Sequence, residues 1–255
     1  MKRKEIYNFK LQERGFQNGN LLVATLQPKT LPSYKENLES LVSYIENSSS
    51  EIIVAPELCL TSFDYEHFEE VAKFYSLALK RLLEVVERKI LVLTMTKKSD
   101  NNFFNEAVVI YNHQVIHRQA KYKLFKLGNE EKYFKAGDKN SIVPFEIEGV
   151  KYAILICFEL RFKELWKQIE GADIVLIPAR WGLSRKAHLE ILSRALAIMN
   201  QSFVIVSNSA DEDMASSSAI ISPWGEFFAN DNLEIIEKKI ELKELKRVRR
   251  LIRMD

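Results

Sequence analysis

The chain has 255 residues, 47% of them hydrophobic and 28% charged, with a net charge of +2. This suits a soluble globular protein of one large domain or two small ones, and the near balance of charge gives no reason to expect nucleic acid or an anionic membrane as partner. Two cysteines, Cys59 and Cys157, are too few for a disulfide scaffold, and no apolar run nears the ~18 residues of a membrane helix.

The opening segment MKRKEIYNFKLQERGF is basic but lacks an apolar stretch, so no signal peptide is expected and a cytoplasmic protein is the simplest reading. Leu21 to Leu26 reads as a first strand. Ser33, with Glu36 three residues on, forms a capping-box signature opening an amphipathic helix. Glu51 to Ala55 is an apolar strand ending at Pro56-Glu57, followed by a long helix from about Tyr65 to Lys89 and a strand from Lys89 to Met95. Ala107–Tyr111 and Gln114–Arg118 form a hairpin turning at Asn112-His113, and Lys123 to Asp138 reads as loop with a short helical turn.

The second half keeps this rhythm. Strands are expected over Tyr152–Ile156, Ile174–Pro178 and Phe203–Ser207, and helices over Lys163–Glu170 and His188–Asn200. A hairpin of Ser217–Ser222 and Glu226–Ala229 turns at Pro223-Trp224-Gly225, and the tail adds a strand, Glu234–Ile240, and a basic helix, Leu242–Ile252. Alternating strands and helices argue an α/β architecture. With no linker or low-complexity tract, the pattern fits one domain, with two sheets face to face and helices outside. The tail, residues 234–255, is expected to pack on the body or on a partner subunit.

Three short segments bring a carboxylate, an ammonium and a thiol to strand ends: Glu57 in VAPELCL, Lys121 in RQAKYKLF and Cys157 in YAILICFELRF. Cys157 closes an apolar run and precedes what reads as the start of a helix. A thiol on such a turn sits beside free backbone N–H groups, which favour a thiolate and can hold an oxyanion. Glu57 is fit to take the thiol proton and later return it to a leaving amine, while Lys121 and the N–H of Phe158 suit the charge of a tetrahedral intermediate. These groups suffice for amide hydrolysis through a thioester, with no cofactor, metal or histidine. Each also has a plainer reading: Cys157 as a core residue like Cys59, Glu57 as a helix cap, Lys121 as a surface lysine.

The joint pattern is more specific. A first strand like VATLQ, then PEL, K-x-K-L-F, E-x-x-Y-F-x-x-G-D, ICFELRF, IPARW and SSSAIISPWGE occur in this order, and in this the chain resembles the carbon–nitrogen hydrolase (nitrilase) superfamily from about Leu21 onward. The resemblance implies a four-layer α-β-β-α sandwich, a Glu57-Lys121-Cys157 triad, and a second glutamate near the site. By register with Gly137 that glutamate is Glu130, with Glu131 as fallback. It also implies a homodimer in which the sandwich doubles. The chain departs from the family pattern at Ser62-Phe63, at Lys163, and at Leu196 and Met199, where a charged pair usual in the family is expected to be replaced by a hydrophobic one on one helix face.

CFELRFKE resembles the omega-amidase-like branch, which implies a small dicarboxylate monoamide as substrate; an N-carbamoyl amine is the alternative. Arg180, Arg185 and Lys186 are candidate cations for a distal carboxylate, and Phe63, Phe158 and Trp181 candidate pocket walls, whereas Arg161 is expected to be a structural ion-pair member. Competing readings are weaker. The basic tail KRVRRLIRMD follows a charge-alternating segment, which disfavours a nucleic-acid binder; no C-x-x-C supports a redox protein; and His188, on an amphipathic helix, is expected at a surface or interface rather than in a Cys-His protease. A catalytically silent binding module would not need Glu57, Lys121 and Cys157 together.

Overall fold

A computed structural model describes residues 19–254; the opening segment considered above for a leader lies outside the described residues. The order is β1 (Asn20–Leu26), α1 (Tyr34–Asn47), β2 (Ile52–Val54), α2 (Phe68–Val85), β3 (Ile90–Ser99), β4 (Asn102–Tyr111) and β5 (Gln114–Ala120). Then come α3 (Glu130–Tyr133), β6 (Phe145–Ile147), β7 (Val150–Ile154), α4 (Lys163–Gln168), β8 (Ile174–Pro178) and α5 (Lys186–Met199). β9 (Phe203–Ser207), β10 (Ala219–Ile221), β11 (Phe227–Ala229), β12 (Ile235–Glu241) and α6 (Lys243–Leu251) complete it.

The strands form two six-stranded sheets, β12-β1-β2-β3-β4-β5 and β11-β10-β9-β8-β7-β6. Each has the same plan: three parallel strands (β1-β2-β3; β7-β8-β9), flanked by one antiparallel strand on one edge and two on the other. The parallel strands β2, β8 and β9 are buried along their whole length, which is why they read as unbroken Val/Ile/Leu runs rather than as alternating ones. α1 and α2 cover the outer face of the first sheet and α5 that of the second, giving the expected four-layer sandwich. The inner layer is apolar, with Val23, Val54 and Val92 of one sheet packing in a common cluster with Val175, Ile177 and Val204 of the other. Two hydroxyls lace across it: Thr25 Oγ1 donates to the Val206 carbonyl at 2.6 Å and Ser207 Oγ to that of Leu26 at 2.7 Å.

Ser33 caps α1 with the full reciprocal box, and Asn112 and His113 both adopt positive φ, as a two-residue hairpin turn requires. Several expectations need correction. α2 starts at Phe68 and ends at Val85, inside the expected bounds. β3 and β4 run on to a tip at Asp100-Asn101, so Asn105 and Glu106, before the expected start at Ala107, belong to a strand. β7 stops at Ile154, and Cys157–Arg161 is a 3-10 turn, with α4 starting only at Lys163. α6 packs on the body through Leu245 and Val248. Among the described helices, none is long and apolar enough to cross a membrane.

Leu196 and Met199 do not form the expected hydrophobic pair. Leu196 is sealed in the core, whereas Met199 is 55% exposed, so the two face different environments. Leu196→Ala should therefore cost about 2–5 kcal/mol, and Met199→Ala should change stability by no more than about 0.5 kcal/mol. Urea unfolding monitored by circular dichroism measures both; equal losses would contradict this packing.

Candidate active site

Glu57 and Cys157 each lie three residues past the end of a parallel strand, β2 and β7, and Lys121 directly follows β5. In open α/β sheets ligands gather at such carboxyl ends. The Glu57 N–H donates to the Ala179 carbonyl at 3.1 Å, tying one sheet's site residue to the loop after β8 in the other. The next residue, Leu58, has φ +48°, and its N–H is held by Thr94 Oγ1 at 2.8 Å. Lys121 is fixed at both of its backbone polar groups: its N–H donates to the Asn105 carbonyl, and its carbonyl accepts from Gly137 N–H, each at 2.8 Å. Only glycine fits at position 137, since a Cβ there would lie 2.3 Å from the Ala120 carbonyl oxygen. Cys157 takes φ +50°, a strained value for a side-chain-bearing residue, at the start of its 3-10 turn. The first N–H groups of any helical turn have no partner within it, so those of Cys157 and Phe158 are available beside the thiol.

The structure brings Glu57, Lys121, Glu130 and Cys157 together. Lys121 Nζ lies 2.7 Å from Glu57 Oε1 and 2.7 Å from Glu130 Oε1, and Lys121 and Glu57 are wholly buried. Asn105 Nδ2 donates to the same Glu57 oxygen at 2.8 Å, while Oε2 is buried and makes no hydrogen bond among the described residues. Glu130 Oε2 accepts the Phe125 N–H at 3.1 Å. Glu131 is exposed and makes no such contact, so Glu130 is the glutamate that faces the lysine.

Burial works against the charge on Lys121, but Glu57, Cys157 and Glu130 outweigh it and raise its pKa. Burial and the charge of Glu57 push the Glu130 carboxyl above the usual range, against the pull of Lys121. Burial pushes the Cys157 thiol well above its ordinary value, reinforced by Glu57 and only partly opposed by Lys121. This overturns the expectation of a favoured thiolate: the thiol is buried, the turn that follows it is short, and the charges of Glu57 and Glu130 add to the effect of burial. At rest Cys157 is a neutral thiol near the carboxylate of Glu57.

Cys157 lines a small cleft together with Phe125, Phe158, Arg161, Arg180, Trp181 and Arg185. Phe158 packs on Phe125, and Trp181 is held at both backbone groups by the Asn208 side chain. Arg180 lines the cleft but is ion-paired with Asp211, and Lys186 pairs with Asp231 away from it. Phe63 is not part of this wall; it packs edge-on against Tyr65 and Phe134. Arg161 is not the ion-pair member expected from sequence. Its guanidinium lies 4.6 Å from the Trp181 ring and donates to exposed His188 Nδ1 at 2.9 Å. Arg185 lies over the Phe125 ring at 5.3 Å. Among the described residues, neither arginine has a carboxylate partner. Asn105 and Asn208 are site residues that sequence reading misses, since an Asn inside a strand and an Asn after a strand carry no motif of their own; Arg161 was singled out, but for a different role.

A buried Glu-Lys-Glu cluster thus lies beside a thiol at strand ends of a two-sheet α/β sandwich. The carbon–nitrogen hydrolase family model matches residues 22–250, nearly the whole chain, and the chain belongs to this family. It is 31% identical over 232 residues to a 2-oxoglutaramate amidase of Bacillus subtilis, covering 85% of this chain and 89% of that protein. A 2-oxoglutaramate amidase of Paenarthrobacter nicotinovorans is 29% identical over 249 residues, covering 88% and 84%. The fold is shared with a carbon–nitrogen hydrolase superfamily protein of Xanthomonas campestris, with TM-score 0.79 at 18% identity, covering 91% and 95% of the two chains.

The charge arrangement makes a measurable forecast. In a Cys59→Ala background, alkylation of Cys157 by iodoacetamide should keep rising with pH beyond about 8.5, where an ordinary thiol titrates. Glu57→Gln removes a charge that raises the thiol and should move the profile to lower pH; Lys121→Met removes the one that lowers it and should move it to higher pH. Rates read by peptide mass spectrometry that neither substitution shifts would refute this account.

Proposed function

We propose that this protein hydrolyses the terminal amide of a small dicarboxylate monoamide, releasing ammonia through a thioester on Cys157. The observation that carries the chemistry is the contact set of Glu57: one oxygen engaged by Lys121 and Asn105, the other left for the thiol. As Sγ attacks the amide carbon, the thiol proton passes to Glu57 and the carbonyl π electrons move to oxygen. That oxygen lies within reach of Lys121 Nζ and the Phe158 N–H. Collapse of the intermediate breaks the C–N bond, with the Glu57 proton leaving on ammonia. Glu57 then takes a proton from water, which attacks the thioester, and the carboxylic acid departs as the thiol regains its proton. Glu130 holds Lys121 in place throughout.

Arg161 and Arg185 support the substrate class. Two guanidiniums without a carboxylate partner beside a small apolar-walled cleft match a ligand that ends in a carboxylate, and the curated relatives named for 2-oxoglutaramate point the same way. Arg180, neutralised by Asp211, orders the loop instead. The free thiols suit a reducing, cytoplasmic setting. A homodimer would cover the outer face of α5, where Ile191 and Ile198 stand 64% and 49% exposed.

Ammonia release from glutaramate-type monoamides should vanish in Cys157→Ala. Arg161→Ala and Arg185→Ala should each raise KM for such a substrate about tenfold or more, a step of ~1.4 kcal/mol, while leaving KM for an uncharged amide such as butyramide within about twofold. Equal effects on both substrates would remove the arginines from recognition, and activity in Cys157→Ala would remove the mechanism. Sedimentation equilibrium should give twice the chain mass, reduced to the monomer by Ile198→Glu.

A further inference from the structure

Glu159 is wholly buried, two residues past the nucleophile. A buried carboxylate normally sits against a cation, yet among the described residues Glu159 has none within ion-pair distance, and its partners are backbone N–H groups of two separate segments. Oε2 accepts the Ile156 N–H at 2.7 Å, from the residue that precedes Cys157. Oε1 accepts the Tyr122 N–H at 2.7 Å and, more weakly, the Lys123 N–H at 3.4 Å, the peptide units that follow Lys121. One rigid carboxylate thus spans the nucleophile's turn and the ammonium's strand end, which belong to different sheets.

We propose that Glu159 is a positioning residue that sets the distance between the Cys157 sulfur and the Lys121 ammonium by accepting backbone hydrogen bonds from both of their segments. Both oxygens must act as acceptors for this to hold. A neutral side chain of the same shape offers one acceptor and one donor, so it leaves one of the two N–H groups facing an N–H. The strained φ of Cys157 needs such an outside restraint, since a short 3-10 turn cannot hold it alone. Burial pushes the Glu159 carboxyl up to about 7, against the lowering effect of the backbone N–H groups of Ile156, Tyr122 and Lys123 and of the Lys121 ammonium; the Lys123 ammonium pairs with Glu164 instead. The bridge is therefore complete above neutral pH and loses an acceptor below it.

The inference rests on the thioester reading, and its test separates the two. Glu159→Gln and Glu159→Asp are compared with wild type in a Cys59→Ala background by thermal unfolding, by kcat and KM for a glutaramate-type monoamide, and by the rate of Cys157 alkylation with iodoacetamide. The expected result for Glu159→Gln is a folded protein with kcat down at least tenfold and KM within about threefold. The wild-type kcat should fall with acid near pH 7, and that of Glu159→Gln should not. Glu159→Asp, which keeps two acceptors on a shorter arm, should recover part of kcat. A folded Glu159→Gln with wild-type kcat overturns the proposal; so does failure of both variants to fold, which would make the carboxylate a requirement of the fold alone. If the wild type releases no ammonia, the thioester reading has failed. The alkylation rate then still decides the bridge: a Glu159→Gln rate and pH profile equal to wild type's overturn it, and a changed rate supports it.

Discussion

An ammonium with no contact with water sits at the centre of this molecule, and most of the site's geometry follows from the need to keep it charged. Lys121 is wholly buried, 2.7 Å from each of two carboxylates. Bringing such groups out of water is expensive, and removing one partner of a buried pair costs about 3–5 kcal/mol. The cluster therefore forms only if the ends of β2 and β5, in the same sheet, and the start of α3 are brought together. The Ala179 carbonyl that receives the Glu57 N–H, the Asn105 that serves both Lys121 and Glu57, and the bare Gly137 against Ala120 are the contacts that enforce it. The hydroxyl bridges across the sandwich do the same at longer range, since each satisfies a carbonyl that would otherwise face an apolar interlayer.

Backbone strain concentrates at the same place. Leu58 and Cys157, each adjoining or forming part of the cluster, hold left-handed φ values that cost side-chain-bearing residues roughly 1–2 kcal/mol. Neither is a glycine, because each position needs its side chain: Leu58 fills the core and Cys157 presents the sulfur. The surroundings hold them instead, through Thr94 for Leu58 and the Glu159 carboxylate for the turn of Cys157.

The layers and two of the strand ends were legible in the chain because buried parallel strands leave continuous apolar runs, and because Pro-Glu and Cys each stop such a run; Lys121 instead follows the polar edge strand β5 and stood out by its place in K-x-K-L-F. What was not legible depends on meetings between distant segments. Asn105 looks like an ordinary polar residue until β4 places it between Lys121 and Glu57. The far halves of β3 and β4 carry Lys97, Lys98 and Asn102, which mask the strand signal. Arg161 looked like half of an ion pair because charge pairing is the commonest fate of an arginine near a core; its ring and imidazole partners come from the loop after β8 and from α5. Leu196 and Met199 share a spacing but not a depth, and a spacing of three says nothing about which side of a covering helix is in water.

The raised thiol explains why the carboxylate, and not a preformed thiolate, belongs at the heart of the proposed reaction. With Glu57 and Glu130 about one ammonium, a thiolate would add a further negative charge to a buried site that already carries an excess of one. Passing the thiol proton to Glu57 during attack avoids this. Glu57 becomes neutral as the substrate oxygen becomes negative, so the site's total charge is unchanged while the charge moves toward Lys121. The ammonium, relieved of one carboxylate's demand, can turn its hydrogen bond to the oxyanion at the moment that oxygen needs it. Interactions that strengthen only then lower the barrier without tightening the ground state. The same accounting gives the second glutamate its use: with Glu57 neutral, Glu130 alone keeps Lys121 charged and in place.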